Sequence, residues 1–232
     1  MEQQNFGLPD IDPFATLDEE IGRLNGFFNS LSPAEWKASM LCEGWTIRDM
    51  VAHFDSDEVY NEACLDNTLE ALATGFSSVE EFNQRQIEHR AHLSSEEALT
   101  QWRTRQAKVR ERWEALGLDT EIATLVGPCP LRTHVWHIAS EYATHADDMG
   151  VKVPPDSQQP RSMWRFQLSA FVVQEKNDPP ELERRGDRMI VAINEHTISL
   201  TTEDFVAAVC SRLVLPQNQK DRQIIEALRT LA

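Results

Sequence analysis

The sequence predicts a mainly α protein: a helical bundle over the first 150 or so residues, then a small α+β module. Three observations carry this. Apolar residues recur at helical spacing behind clear cap signals as far as Gly150. A proline-rich stretch follows, and only beyond it do runs with strand character occur. At 232 residues and 41% hydrophobic, the chain can bury one large core, or a principal core and a smaller one.

The elements follow in order. Residues 15–31 place Leu17, Ile21, Leu24 and Phe27 or Phe28 on one stripe. Ser32, Pro33 and Glu35 form a cap, a first-turn proline and a capping-box acid, predicting a short helix to about Met40. After a turn at Glu43-Gly44, Thr46 and Asp49 make a second capping box, and Ile47, Met50, Val51 and Phe54 supply an apolar face. That helix is expected to continue to about Ala73, ending at Gly75. Ser77 or Ser78 starts another. Ser94 and Glu97 cap a further helix that passes Trp102, Val109 and Trp113 to Gly117, and Leu131–Met149 forms the next, closed by Gly150.

Residues 151–162 hold three prolines and no periodic apolar positions, so a linker or crossover is expected there. Arg165–Val173 and Met189–Thr201 have strand character, and Asn194-Glu195-His196 suits a hairpin turn with His196 exposed. Thr201 and Asp204 cap a helix to Leu213, and a last helix runs from about Lys220 to Leu231. The expected domains are therefore a bundle over 1–152 and a small α+β domain over 160–232.

A net charge of −16 repels a phosphate backbone or an anionic bilayer, and the local arginine groups, such as 103–112, are interleaved with acids. No nucleic-acid or membrane partner is expected. The opening residues lack a basic start and an apolar run, so a cytoplasmic protein is expected. Cys42, Cys64, Cys129 and Cys210 are scattered without a C-x-x-C pair, which argues against a thiolate zinc cluster or a disulfide framework and favours core or incidental thiols.

The informative stretch is EYATHADDMG at 141–150. At 100° per residue, His137, Glu141 and His145 fall within an arc of about 80°, with His134 nearby. His53 lies about 120° round from Ile47, on the flank of its helix's apolar face. Inward-facing side chains on neighbouring helices are how bundles assemble metal sites, and His53 with Glu141 and His145 would make a His2Glu set with an open position. The bland alternatives are a surface ion pair or a core histidine bonded to a carboxylate. With 38 acids and 7 histidines, chance alone supplies roughly one acid-x-x-x-His pair. His89 and His92 sit in a charged stretch that suits a solvated face.

Two segments resemble a known family. Leu41-Cys42-Glu43-Gly44-Trp45-Thr46-Ile47-Arg48-Asp49-Met50-Val51-Ala52-His53 is similar to the "GWTVRDVVAHL" segment of the mycothiol-dependent maleylpyruvate isomerase family, within the DinB-like metal-binding superfamily. Gly127-Pro128, Leu131-Arg132 and Glu141-x-x-x-His145-x-x-Asp148 are similar to its later "P-L-x…E-x-x-x-H-x-x-D" helix. The resemblance implies a DinB-like four-helix bundle of up-down-down-up connectivity with a small α+β C-terminal domain. It also implies zinc held by His53, Glu141 and His145, and mycothiol as thiol cosubstrate. An arginine in a late "GR" dipeptide helps bind substrate in the family; here the dipeptide is Ser211-Arg212, which carries that role to Arg212 without the glycine.

The implied chemistry is thiolate addition to a maleylpyruvate-like cis alkene, rotation and elimination, or S-transfer where the electrophile has a leaving group. His137 and His134 are placed to orient ligands or move protons, or simply to pack beside the ligands. Trp136-His137, the missing glycine and a short tail depart from the family's pattern and bear on the substrate. The partners expected are a small electrophile and a low-molecular-weight thiol, on a monomer or homodimer. A non-catalytic metal-binding module on the same scaffold is the rival class; it would close the metal with a fourth ligand such as His137 or Asp148.

Overall fold

The computed structural model describes residues 4–42 and 44–231. In order come α1 (Pro13–Ser30), a 3-10 turn (Glu35–Lys37), α2 (Ile47–Asp66), α3 (Leu69–Ala73), α4 (Val79–His89), α5 (Ser95–Leu116), β1 (Glu121–Ile122), β2 (Cys129–Pro130) and α6 (Leu131–Asp148). Then follow α7 (Pro155–Gln174), β3 (Glu181–Arg185), β4 (Arg188–Ile193), β5 (His196–Thr201), α8 (Thr202–Val209) and α9 (Gln219–Leu228). Chain contacts divide these into two compact units. One is Leu17–Val135 with His145–Val151; the other takes 4–16, 136–144 and 152–231, so α6 contributes turns to both.

The first unit is the bundle, and its cross-helix pairs fix the direction of each helix. Arg110 bonds Asp18 and Arg103 bonds Asn25, so α5 runs antiparallel to α1. Asp55 meets Arg105 while Asp66 meets Arg112, so α2 and α5 run parallel. His53 faces His145 while Asn61 faces His134, so α2 and α6 are antiparallel. The connectivity of α1, α2, α5 and α6 is thus up-down-down-up. Phe28, Phe54 and Trp102 pack ring to ring at its centre, with centroids 5.7–5.8 Å apart.

α2 is buried on most of its circumference, polar side chains included. Asp55, 1% exposed, accepts from Arg90 Nε at 2.6 Å, Gln101 Nε2 at 3.0 Å and Arg105 Nε at 3.1 Å. A carboxylate in that position is tolerable only because two guanidiniums and an amide replace its hydration.

Several sequence expectations need correction here. Ser32 and Glu35 do form the reciprocal box, at 2.7 and 3.4 Å, but behind it stands only a 3-10 turn. The helix from Thr46 stops at Asp66, because Asn67 turns left-handed at φ 53° and Thr68 N bonds back to Ala63 O; α3 is separate. Of the turn expected at Glu43-Gly44, Glu43 lies outside the described residues. The largest difference is α7. Residues 155–162 are not a linker and 165–173 not a strand: Pro155 takes the first helical position, and the buried stripe is Arg161, Trp164, Arg165, Leu168, Ser169, Val172 and Val173. Three of those seven are polar, which hides the helical period from a hydrophobicity reading.

The second unit carries the antiparallel sheet β3-β4-β5, of which the sequence signals only the β4–β5 hairpin. Asn194, at φ 54°, makes its turn. His196 opens β5, half-buried, and contacts Asp221 Oδ1 at 2.6 Å; it is not an exposed turn residue. Phe166 meets Phe205, and Leu182, Met189 and Val191 complete the core. No helix among the described residues is long and apolar enough to cross a membrane.

α8 ends in a Schellman turn: Arg212 N bonds Ala207 O at 2.7 Å and Ser211 N bonds Ala208 O at 3.1 Å, with Ser211 at φ 59°. A side chain in the left-handed region costs about 1 kcal/mol relative to glycine. Ser211→Gly is therefore expected to raise the unfolding free energy by roughly that amount in urea titration. Asp55→Ala, which leaves the buried Arg90 guanidinium without its carboxylate, is expected to lower it by about 3–5 kcal/mol in the same measurement.

Candidate metal centre

Two cap structures set the site. At the start of α2, Thr46 N donates to Asp49 Oδ2 at 3.0 Å and Thr46 Oγ1 accepts from Asp49 N at 3.3 Å. His53 follows two turns on, 3% exposed, with the half-buried Trp45 indole packed on its ring at 5.2 Å. At the end of α6, Gly150 at φ 73° lets Val151 N bond Ala146 O at 2.9 Å, so the helix stops directly after Asp148. His145 therefore lies in its last turn. Its ring stands edge-on to that of His53, centroids 5.1 Å apart.

The side chains of His53, Glu141 and His145 each offer a ligand atom within 4.8 Å of the others. A zinc ion with ligands at about 2.1 Å spaces them by about 3.4 Å, so small side-chain rotations bring this set onto one ion. The chemistry also fits. Two imidazoles and a carboxylate are all donors to zinc, two of them are buried, and no cation of the protein belongs to the set.

The surroundings orient the ligands. His145 Nδ1 lies 2.9 Å from Asp148 Oδ2; with the proton on Nδ1 this is a donated bond, and the lone pair belongs to Nε2. Cys42 Sγ lies 3.3 Å from the same Oδ2 and 3.7 Å from His145 Nδ1. Its segment is held to the end of α6 by Leu41 N bonding Asp148 O at 3.4 Å. On the other side His53 Nε2 is 3.6 Å from Asp57 Oδ2.

A family model, that of the mycothiol maleylpyruvate isomerase N-terminal domain, matches residues 17–150, more than half of the chain. The chain belongs to that family. Among solved structures it is similar to a mycothiol-dependent maleylpyruvate isomerase, at 18% identity and TM-score 0.54, and to a histidine-to-alanine mutant of such an isomerase, at 20% and 0.52. Each match covers 72% of this chain and 69% of the other. At those identities the likeness shows the fold, which is the DinB-like bundle with its small C-terminal sheet. No curated protein matches the chain.

The other candidates fall elsewhere. His137 is one turn before Glu141 on α6 but belongs to neither donor set found among the described residues. Burial pushes its imidazole below the usual value of 6.5, against the pull of the Glu141 carboxylate. His134 is a core residue in this maleylpyruvate isomerase family member. Its Nε2 lies 2.8 Å from Asn61 Oδ1, Asn61 Nδ2 donates to Glu58 at 3.1 Å, and Trp113 stands edge-on at 5.6 Å. Arg212 Nη1 donates to Cys210 O at 3.0 Å. The serine before it stands in the left-handed region, a conformation that favours glycine, and still makes the turn. His89 and His92 are exposed, as expected.

Sequence reasoning missed Cys42 and Trp45. Asp148 carries a signal, three residues after His145 on the same face. Cys42 carries none, because a loop closure over 100 residues of chain brings it there. Asp148→Asn keeps the shape but weakens the acceptor for Nδ1–H, and is expected to lower metal affinity about 10- to 100-fold in competition with a chelating dye.

Proposed function

We propose that the chain is a zinc-dependent enzyme that uses a low-molecular-weight thiol, mycothiol, to isomerise a maleylpyruvate-like cis alkene or to transfer the thiol to a related electrophile. The observation that carries this reading is the convergence of His53, Glu141 and His145 from two helices, in a family named for that thiol and that isomerase. Zinc bound there would supply the Lewis acidity that lets a thiol ionise at neutral pH.

The chain's own residues have distinct parts in this proposal. Asp148 holds His145 in one tautomer and one ring orientation. Trp45 and Phe54 cover the imidazole rings and keep water from them, which strengthens every electrostatic interaction at the donors. His137, kept neutral by burial, is able to accept a proton near Glu141. Arg212 presents a planar fork that suits a substrate carboxylate. Attack of the thiolate sulfur on one alkene carbon turns the double bond into a single bond. Rotation follows, and expulsion of the same thiolate restores the double bond in the trans form, with no net oxidation or hydrolysis.

The three-donor set also supports an enzyme over a closed, non-catalytic metal module. Among the described residues the set has one carboxylate and two imidazoles, and a zinc ion held by these three would have room for a ligand from solution. Elemental mass spectrometry on protein purified without added metal is expected to find near-stoichiometric zinc, lost in His53→Ala and in Glu141→Ala. The zinc-loaded protein should then convert maleylpyruvate to its trans isomer only when mycothiol is present. Zinc absent from the wild type, or retained in both variants, overturns the proposal.

A further inference from the structure

His145 belongs to both donor sets found among the described residues, and its Nδ1 faces Cys42 and Asp148. We propose that Cys42, His145 and Asp148 form a second cation site, distinct from the His53–Glu141–His145 set, for a thiophilic divalent ion such as zinc, cobalt or cadmium. The ion would sit against Nδ1 of the imidazole whose Nε2 serves the first set.

The dimensions argue for it. Cys42 Sγ, His145 Nδ1 and Asp148 Oδ2 form a triangle with edges of 3.7, 3.3 and 2.9 Å. With Zn–S near 2.3 Å and Zn–N and Zn–O near 2.1 Å, one face of a tetrahedral site has S···N and S···O edges of about 3.6 Å and an N···O edge of about 3.4 Å. The three atoms therefore stand within about 0.5 Å of a ligand face without any change of rotamer. With the proton on Nδ1, S–H and Nδ1–H both donate to Asp148 Oδ2, so the triangle holds two protons. One divalent ion takes the place of those two protons, which leave to solvent; with His145 then bridging as an imidazolate and Cys42 as a thiolate, the net charge of the cluster is unchanged and the triangle opens only slightly.

The placement is also built rather than incidental. His145 and Asp148 are each 5% exposed, while Cys42 is half-buried and follows the largely exposed Leu41, so an ion has a way in from solvent. The Leu41 N to Asp148 O bond fixes the cysteine over the helix end, and the left-handed Gly150 ends the helix just beyond the carboxylate. Thiolate, imidazole and carboxylate together favour a softer ion than the first set does. All three donors lie in the bundle unit.

The test is a cobalt(II) titration of metal-free protein followed by absorption and equilibrium dialysis. Wild type is expected to take two equivalents, and a sulfur-to-cobalt charge-transfer band should accompany only one of them. Cys42→Ser should lose that band and one equivalent while keeping the other. His53→Ala should keep the band and lose the equivalent without it, so failure of the first site and failure of this proposal give different results. Asp148→Asn, which also loosens the first set, is expected to weaken both steps at least tenfold, in contrast to Cys42→Ser, which acts on the band alone. A wild type with no charge-transfer band at two equivalents, or a band that survives in Cys42→Ser, overturns the proposal.

Discussion

Everything at the candidate centre depends on the register of two antiparallel helices, α2 and α6. Two contacts pin it: Asn61 with His134 at one end and His53 with His145 at the other. The intervals are eight residues on α2 and eleven on α6, about 12 Å and about 16 Å of helix. A slip of one residue on either helix would rotate its donors by 100° and dissolve the set. The polar core pair is thus a positional device, since apolar side chains of similar volume would fill the same space without selecting a register.

The same helix shows how much polar burial one element can hold. α2 buries His53, Asp55, Ser56, Glu58 and Asn61 together with its apolar face. Each needs partners from elsewhere in the bundle, and α5 and the end of α4 supply them to Asp55 through Arg105, Gln101 and Arg90. Net charge −16 makes this a matter of distribution as well as count: several of the 22 basic residues are spent inside, neutralising acids that the core has enclosed. Electrostatics and packing in this bundle are one problem, solved by the same few side chains.

The legibility of the sequence follows the same physics. Helices whose ends are marked by reciprocal side-chain bonds, α2 and α5, are visible because Thr46/Asp49 and Ser94/Glu97 are local signals. The triad could be nominated because two donors share one helix face and the third follows a recognisable segment. α7 escaped because Arg161, Arg165 and Ser169 occupy its buried stripe and prolines mark its start. Cys42 escaped because its neighbours are made by a chain closure between residues 42 and 148, which no window along the sequence contains. β3 pairs with β4 through a turn at Gly186, and its alternation of Leu182 with charged residues is too short to stand out.

The left-handed Ser211 has a consequence for reading such turns from sequence. The turn needs a backbone angle at that position, and two carbonyl bonds from Ala207 and Ala208 hold whichever residue adopts it. Glycine meets the requirement at least cost, yet serine meets it too. A pattern that demanded glycine at this position would pass over this chain, although its turn is made and Arg212 follows it.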